Sequence, residues 1–169
     1  MGRPIISRAS GLTFFQKAAD MNDVDILLVE DNPDDAELTL RALRKNSAGD
    51  KLFHAEDGAR AVEYIFGQGE FSRRDTSSMP KVILLDLKLP KLDGLEVLRR
   101  IKGDERTRTI PVVMLTSSNE ERDVRESYEL GVNSYVVKPV SFDEYISRVA
   151  AVGLYWLSYN QIIPQASAA

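Results

Sequence analysis

Glu30-Asp31, Asp86, Thr116-Ser117 and Lys138-Pro139 are the residues of this sequence whose types and positions could do chemistry together. Each group stands just after a short apolar run: residues 26–29, 82–85, 112–115 and 135–137 respectively. Taken one at a time they have ordinary explanations. An acidic pair before Asn32-Pro33 suits a helix N-terminus, a Thr-Ser after a strand suits an N-cap, and a lysine before proline suits a solvated loop. Asp86 is different, because an unpaired carboxylate beside a buried strand is expensive. As a set, three carboxylates, a hydroxyl and an ammonium make one chemistry available. Clustered carboxylates repel, so at least one pKa rises unless a cation intervenes. An all-oxygen donor set on an open edge suits Mg2+, a hard cation that keeps several of its waters. Asp86 then acts as a nucleophile, since a carboxylate that attacks a phosphoryl group forms an acyl phosphate. Mg2+ and Lys138 would neutralise the developing charge.

For these residues to meet, the apolar runs must be neighbouring strands. The runs are nearly continuous rather than alternating, as strands covered on both faces are. A weaker run, residues 51–55, suits an edge strand. Between the runs lie helical spacings: Ala36, Leu40 and Leu43, then residues 59–66, then Leu95, Leu98 and Ile101, then Val124 and Tyr128, with Gly131 as a stop. A last helix is predicted over roughly 142–159. Five strands alternating with five helices predict an α/β fold, a doubly wound, flavodoxin-like parallel sheet of order 2-1-3-4-5. In that order strands 1 and 3 flank the switch point, and ligands bind beyond the carboxyl ends of the strands. Glu30, Asp31 and Asp86 converge there. Residues 67–80 read as a loop, 1–24 as an N-terminal extension, 25–160 as the domain and 161–169 as a tail.

Composition narrows the alternatives. The chain has 169 residues, enough for one ordinary domain with a core of its own. Twenty-two basic and 26 acidic residues give a net charge of −4, which argues against sequence-independent nucleic-acid binding. There is no cysteine, which excludes thiol catalysis, disulfides and Cys-ligated zinc. His54 is the single histidine, so multi-histidine metal sites are excluded; it reads as a surface residue of the edge strand without a role. No apolar run approaches the roughly 20 residues that span a bilayer. The first twenty residues lack the apolar core of a secretory signal, and a cytoplasmic location is the default expectation.

The constellation resembles the receiver domain of two-component response regulators. Glu30-Asp31, the segment from Leu84 through Asp86 and Pro90 to Gly94, Leu115-Thr116-Ser117 and Lys138-Pro139 match that family in order and spacing. The resemblance implies that Asp86 accepts phosphate from a sensor histidine kinase. It implies that Asp31 binds Mg2+ directly, Glu30 through water, and the main-chain carbonyl of Lys88 alongside them. Thr116 and Lys138 would contact the phosphoryl group, Tyr135 would be the aromatic switch residue, and the Lys138–Pro139 bond would be cis. Residues 127–135, the long 67–80 loop and the Tyr155–Pro164 segment further resemble the single-domain regulators that partner phytochrome-type kinases.

The expected mechanism is a two-state switch in which phosphorylation draws Thr116 inward and Tyr135 turns in behind it. Few residues follow the fifth helix, so the expected output is a protein contact. The last helix is apolar beyond one stripe, and Tyr155, Trp156 and Leu157 are candidates for a homodimer face made by helix 4, strand 5 and helix 5. Two rival functions stand beside this one. A Mg2+-dependent phosphatase using an aspartyl nucleophile would need a substrate cap, which no insertion is large enough to supply. A phosphate-independent adaptor would be expected to have lost the acceptor or the lysine, and both are present.

Overall fold

The computed structural model describes residues 20–46 and 49–164; the expected extension before residue 20 and the tail after residue 164 lie outside them. Five strands, β1 (Ile26–Val29), β2 (Leu52–Ala55), β3 (Val82–Leu85), β4 (Val112–Thr116) and β5 (Ser134–Val137), alternate with five helices. These are α1 (Pro33–Arg44), α2 (Gly58–Phe66), α3 (Gly94–Gly103), α4 (Glu121–Glu129) and α5 (Phe142–Leu154). All strand pairs are parallel and the order is β2-β1-β3-β4-β5, the expected topology.

The apolar runs form covered strands because each carries one set of side chains to each face. Leu27, Val29, Ile83, Leu85, Val112 and Met114 pack on one side with Val62, Tyr64, Leu98 and Ile101. Ile26, Leu28, Val82, Leu84, Val113 and Leu115 pack on the other with Leu43, Tyr145, Ile146 and Val149. So α2 and α3 cover one face, and α1 and α5 the other. Side-chain caps fix where the helices start. Asn32 accepts from Asp34 N and Asp35 N ahead of α1, Asp57 from Arg60 N ahead of α2, and Asp93 from Glu96 N ahead of α3. Asn32 and Asp57 stand within three residues of the preceding strand end, whereas Asp93 starts α3 only after the loop that follows β3.

Several local expectations are corrected. Val124 and Tyr128, expected to mark a fourth helix, both lie in α4, but Tyr128 is 53% exposed while Ser127 beside it is fully buried. A buried serine is tolerated there because its hydroxyl donates to the Asp123 carbonyl one turn back. Gly131 does end α4, at φ +95°. The 67–80 segment is more structured than a plain loop. Phe71 is buried edge-on against both Phe53 and Tyr64, and the Arg74 guanidinium lies 4.2 Å over the Tyr64 ring. Arg74 also donates to the Tyr64 and Ser78 carbonyls. After α5 a π-helical turn, Tyr155–Tyr159, continues the axis. Trp156 and Leu157 pack back onto the α1–α5 core, so of the three expected interface residues only Tyr155 is exposed, at 50%. Both continue the inward stripe of Val149, Val152 and Gly153 at i+3 and i+4 spacing.

Candidate functional site

The ends of β1, β3, β4 and β5 bring the predicted residues together. Glu30 continues β1, its N–H donating to the Ala55 carbonyl of β2, and its side chain is only 3% exposed. One carboxylate oxygen accepts from Asn32 N at 3.0 Å and the other from Lys138 Nζ at 2.6 Å. Asp86 ends β3 in the same way, its N–H bonded to the Val29 carbonyl. Its Oδ1 accepts from Leu87 N at 2.7 Å, and its Oδ2 lies 3.4 Å from Lys138 Nζ. Asp31 is exposed on the rim. One carboxylate oxygen from each of Glu30, Asp31 and Asp86 lies within 4.8 Å of the other two. Lys138 is held in line by β5, because its N–H donates to the Thr116 carbonyl of β4.

Electrostatics follow from burial. Desolvation lifts the Glu30 carboxyl to about 7, and the neighbouring Asp86 charge adds to it, against the pull of Lys138. Burial works against the Lys138 ammonium too, but Glu30, Asp86 and Asp35 outweigh it and hold the group protonated above the ordinary lysine range. This crowding of like charge, built wholly from hard oxygen donors, fits a divalent cation. The residues that could hold one are Glu30, Asp31 and Asp86, with the main-chain carbonyl of Lys88 two residues beyond the acceptor position.

The switch candidates sit on the next two strand ends. Thr116 is 99% buried at the end of β4, and its hydroxyl oxygen accepts from Ser118 N at 3.2 Å. Tyr135 is half-buried, and its hydroxyl donates to the Ser118 carbonyl at 2.9 Å. Burial raises its phenol pKa. Both residues therefore hold the same β4–α4 turn. Gly94 is buried where the loop after Asp86 returns, its N–H donating to the Leu87 carbonyl at 2.7 Å. The Lys138–Pro139 bond, expected cis, is trans, as the described residues contain no cis peptide. Trans is the lower-energy isomer for a prolyl bond, and Lys138 reaches the carboxylates with it.

Two residues of the site were not singled out from the sequence. Asp35, at the third position of α1, places Oδ2 2.9 Å from Lys138 Nζ. An acid in a first helical turn signals only a favourable helix dipole. His54, expected as a plain surface residue, is half-buried, and its Nε2 donates to the Glu30 carbonyl at 2.7 Å. Its place on β2, next to β1, was the available signal.

A parallel 2-1-3-4-5 sheet with clustered acids, a buried threonine and a lysine at its strand ends is the arrangement of a receiver. The chain belongs to the response regulator receiver domain family, whose model matches residues 26–150. Among solved structures it is similar to the Mn2+-bound form of the response regulator Rcp1, with 38% identity and a TM-score of 0.76 over 82% of this chain and 98% of that one. The curated Rcp1 sequence, from Synechocystis, is 41% identical over 78% of this chain and 88% of the relative. It is also similar to the phosphorylated cyanobacterial phytochrome response regulator RcpA, at 37% identity and TM-score 0.77, covering 82% and 97%. The bacteriophytochrome response regulator AtBRR is 51% identical, with TM-score 0.63, covering 80% and 96%. The protein is thus a signalling receiver related to the phytochrome response regulators. No helix among the described residues is long and apolar enough to cross a membrane.

Proposed function

We propose that this chain accepts a phosphoryl group on Asp86 from a phytochrome-type sensor histidine kinase in the cytoplasm and signals through a changed protein-contact surface. The observation that carries this is Lys138 Nζ lying between Glu30 and Asp86 in a cluster of three carboxylates. In the transfer, an Asp86 carboxylate oxygen attacks phosphorus, the P–O bond forms as the P–N bond to the kinase histidine breaks, and the imidazole leaves. Mg2+, when bound by Glu30, Asp31, Asp86 and the Lys88 carbonyl, supplies charge neutralisation. Lys138 offers a donor to a phosphoryl oxygen, and Thr116 offers another once its hydroxyl turns from Ser118. Inverting a 1:99 population needs about 5.5 kcal/mol of differential stabilisation. Two or three charge-assisted hydrogen bonds at about 1.5–3 kcal/mol each total about 3–9 kcal/mol, a range that brackets that figure. As Thr116 moves, Tyr135 gives up its bond to the Ser118 carbonyl and turns inward, reshaping the β4–α4 turn.

The test is intact-protein mass after incubation with phosphoramidate, with and without Mg2+. Wild type gains one phosphoryl group only with Mg2+, and Asp86→Asn gains none. A gain that survives in Asp86→Asn would show that the acceptor lies elsewhere, and none in wild type would favour a phosphate-independent adaptor.

The contact surface is a homodimer face of α4, β5 and α5. Tyr128 on α4 and Tyr155 after α5 supply exposed aromatic area, at 53% and 50%. Sedimentation velocity is expected to show a concentration-dependent dimer that Tyr155→Glu weakens. Monomers at every concentration, with and without phosphoryl donor, would remove the dimer.

A further inference from the structure

We propose that Asp35 is a positioning residue for Lys138, keeping the ammonium in the site while a divalent cation occupies the acidic cluster. The inference rests on Asp86 being the metal-dependent phosphoryl acceptor. Lys138 directs its three N–H donors at three carboxylates, Glu30 at 2.6 Å, Asp35 at 2.9 Å and Asp86 at 3.4 Å. Glu30 and Asp86 also belong, with Asp31, to the cluster that fits the cation. A divalent ion there draws on the negative charge of both and repels an ammonium a few ångströms away, in a site where Lys138 is only 9% exposed and solvent screens little. Among the described residues, Asp35 is the one partner of Lys138 that stands outside the cluster, so it still holds the ammonium when the ion is present.

Its carboxylate is presented by a fixed piece of backbone. Asp35 N donates to the Asn32 cap at 3.1 Å, and its carbonyl accepts from the Thr39 hydroxyl at 2.8 Å. Thr39 Oγ1 in turn lies 2.6 Å from the Tyr145 hydroxyl, both side chains being buried. The first turn of α1 is thereby tied to α5, the helix that follows Lys138 in the chain. Asp35 contacts no reacting atom, so it acts through Lys138.

Calorimetric titration with Mg2+ of four proteins separates this role from a mere contribution of negative charge. The four are wild type, Asp35→Asn, Lys138→Met and the double variant. Removing the lysine relieves repulsion and tightens Mg2+ binding in either background. Where Asp35 holds Lys138 beside the bound ion, that relief is large; without Asp35 the ammonium swings out toward solvent as the ion binds, and the relief is smaller. The expected result is that Lys138→Met tightens binding about three- to tenfold more in the wild-type background than in Asp35→Asn, the coupling of groups in direct contact. Asp35→Glu, which keeps the charge, restores the wild-type ratio. Equal factors in the two backgrounds, or a larger one in Asp35→Asn, overturn the proposal. Lys138→Gln replaces Lys138→Met if the latter does not fold. Phosphoramidate labelling of wild type in the same buffer judges the underlying function separately. A wild type that binds Mg2+ but takes no phosphoryl group removes the acceptor role of Asp86, while the titration cycle still decides Asp35.

Discussion

Lys138→Met is expected to lower the unfolding free energy by about 3 kcal/mol near pH 8 in the absence of divalent ions, measured by urea denaturation. Removing one partner of a buried ion pair costs about 3–5 kcal/mol because the other charge is left uncompensated. The lower end applies because Asp86 and Asp35 keep some contact with water, their side chains being 12% and 37% exposed. Glu30 is the group that suffers, with 3% of its side chain exposed and its 2.6 Å partner gone.

The loss depends on pH, and its sign follows from Glu30. Its carboxyl titrates at about 7 in the folded protein against an ordinary 4.5. Between those values the folded state holds a proton that the unfolded chain has released. Stability therefore falls as pH rises through that window, and this contribution levels off above it. Without Lys138 the folded-state value climbs further, since both the Coulombic and the hydrogen-bond pull of the lysine are lost. The variant thus goes on losing stability above pH 7, where the wild-type contribution has levelled. Its deficit at pH 6 is expected to be about half that at pH 8, because a protonated Glu30 needs no counter-charge. Saturating Mg2+ should recover most of the loss at pH 8. A deficit equal at both pH values, unmoved by Mg2+, would mean that Lys138 acts through packing alone.

Gly94→Ala is expected to cost about 3 kcal/mol and to weaken Mg2+ binding, whereas Gly103→Ala at the other end of α3 costs nothing measurable. A Cβ on Gly94 would stand 2.2 Å from the Asp86 carbonyl oxygen and 2.8 Å from Leu87 Cα. Both are backbone, so neither can step aside as a side-chain tip would. The helix start or the segment carrying Asp86 must shift. The opposite wall is equally close, since a Cβ on Gly58 would lie 1.9 Å from the Leu92 carbonyl oxygen. Lys91 adds a tie across that wall, its ammonium 2.6 Å from Asp57, the cap of α2. The loop from Asp86 to Gly94 is thus clamped between the starts of two helices, and a displaced loop moves the acceptor and the Lys88 carbonyl together. Gly103 has nothing within 4 Å of its Cβ position, and alanine there gains helix propensity. Paired melts and Mg2+ titrations of the two variants check this. Equal stability of the two would mean that the loop yields freely.

The sheet and most of the site were legible in the residues themselves, for a simple reason. A continuous apolar run defines a covered parallel strand, and the residue after it stands at the strand's carboxyl end. Five such runs with helices between them leave few topologies, so Glu30, Asp31, Asp86, Thr116 and Lys138 could be assigned to one edge before any coordinates. Side-chain direction on the covering helices is another matter. Whether Tyr128 or Ser127 turns inward depends on how α4 is rotated about its axis, and a polar helix with few apolar residues defines that rotation poorly. Whether Tyr155 or Trp156 meets solvent depends on which stripe of α5 the core covers, and Trp156 continues the covered stripe of Val149 and Val152. Asp35 and His54 carry no local mark of their roles. The packing of α1 against α5 on one face of the sheet brings the first to Lys138, and the β1–β2 register brings the second to the Glu30 carbonyl. Strand ends are set by hydrophobic runs along the chain, but contacts between a helix turn and a neighbouring strand exist only once the layers have closed.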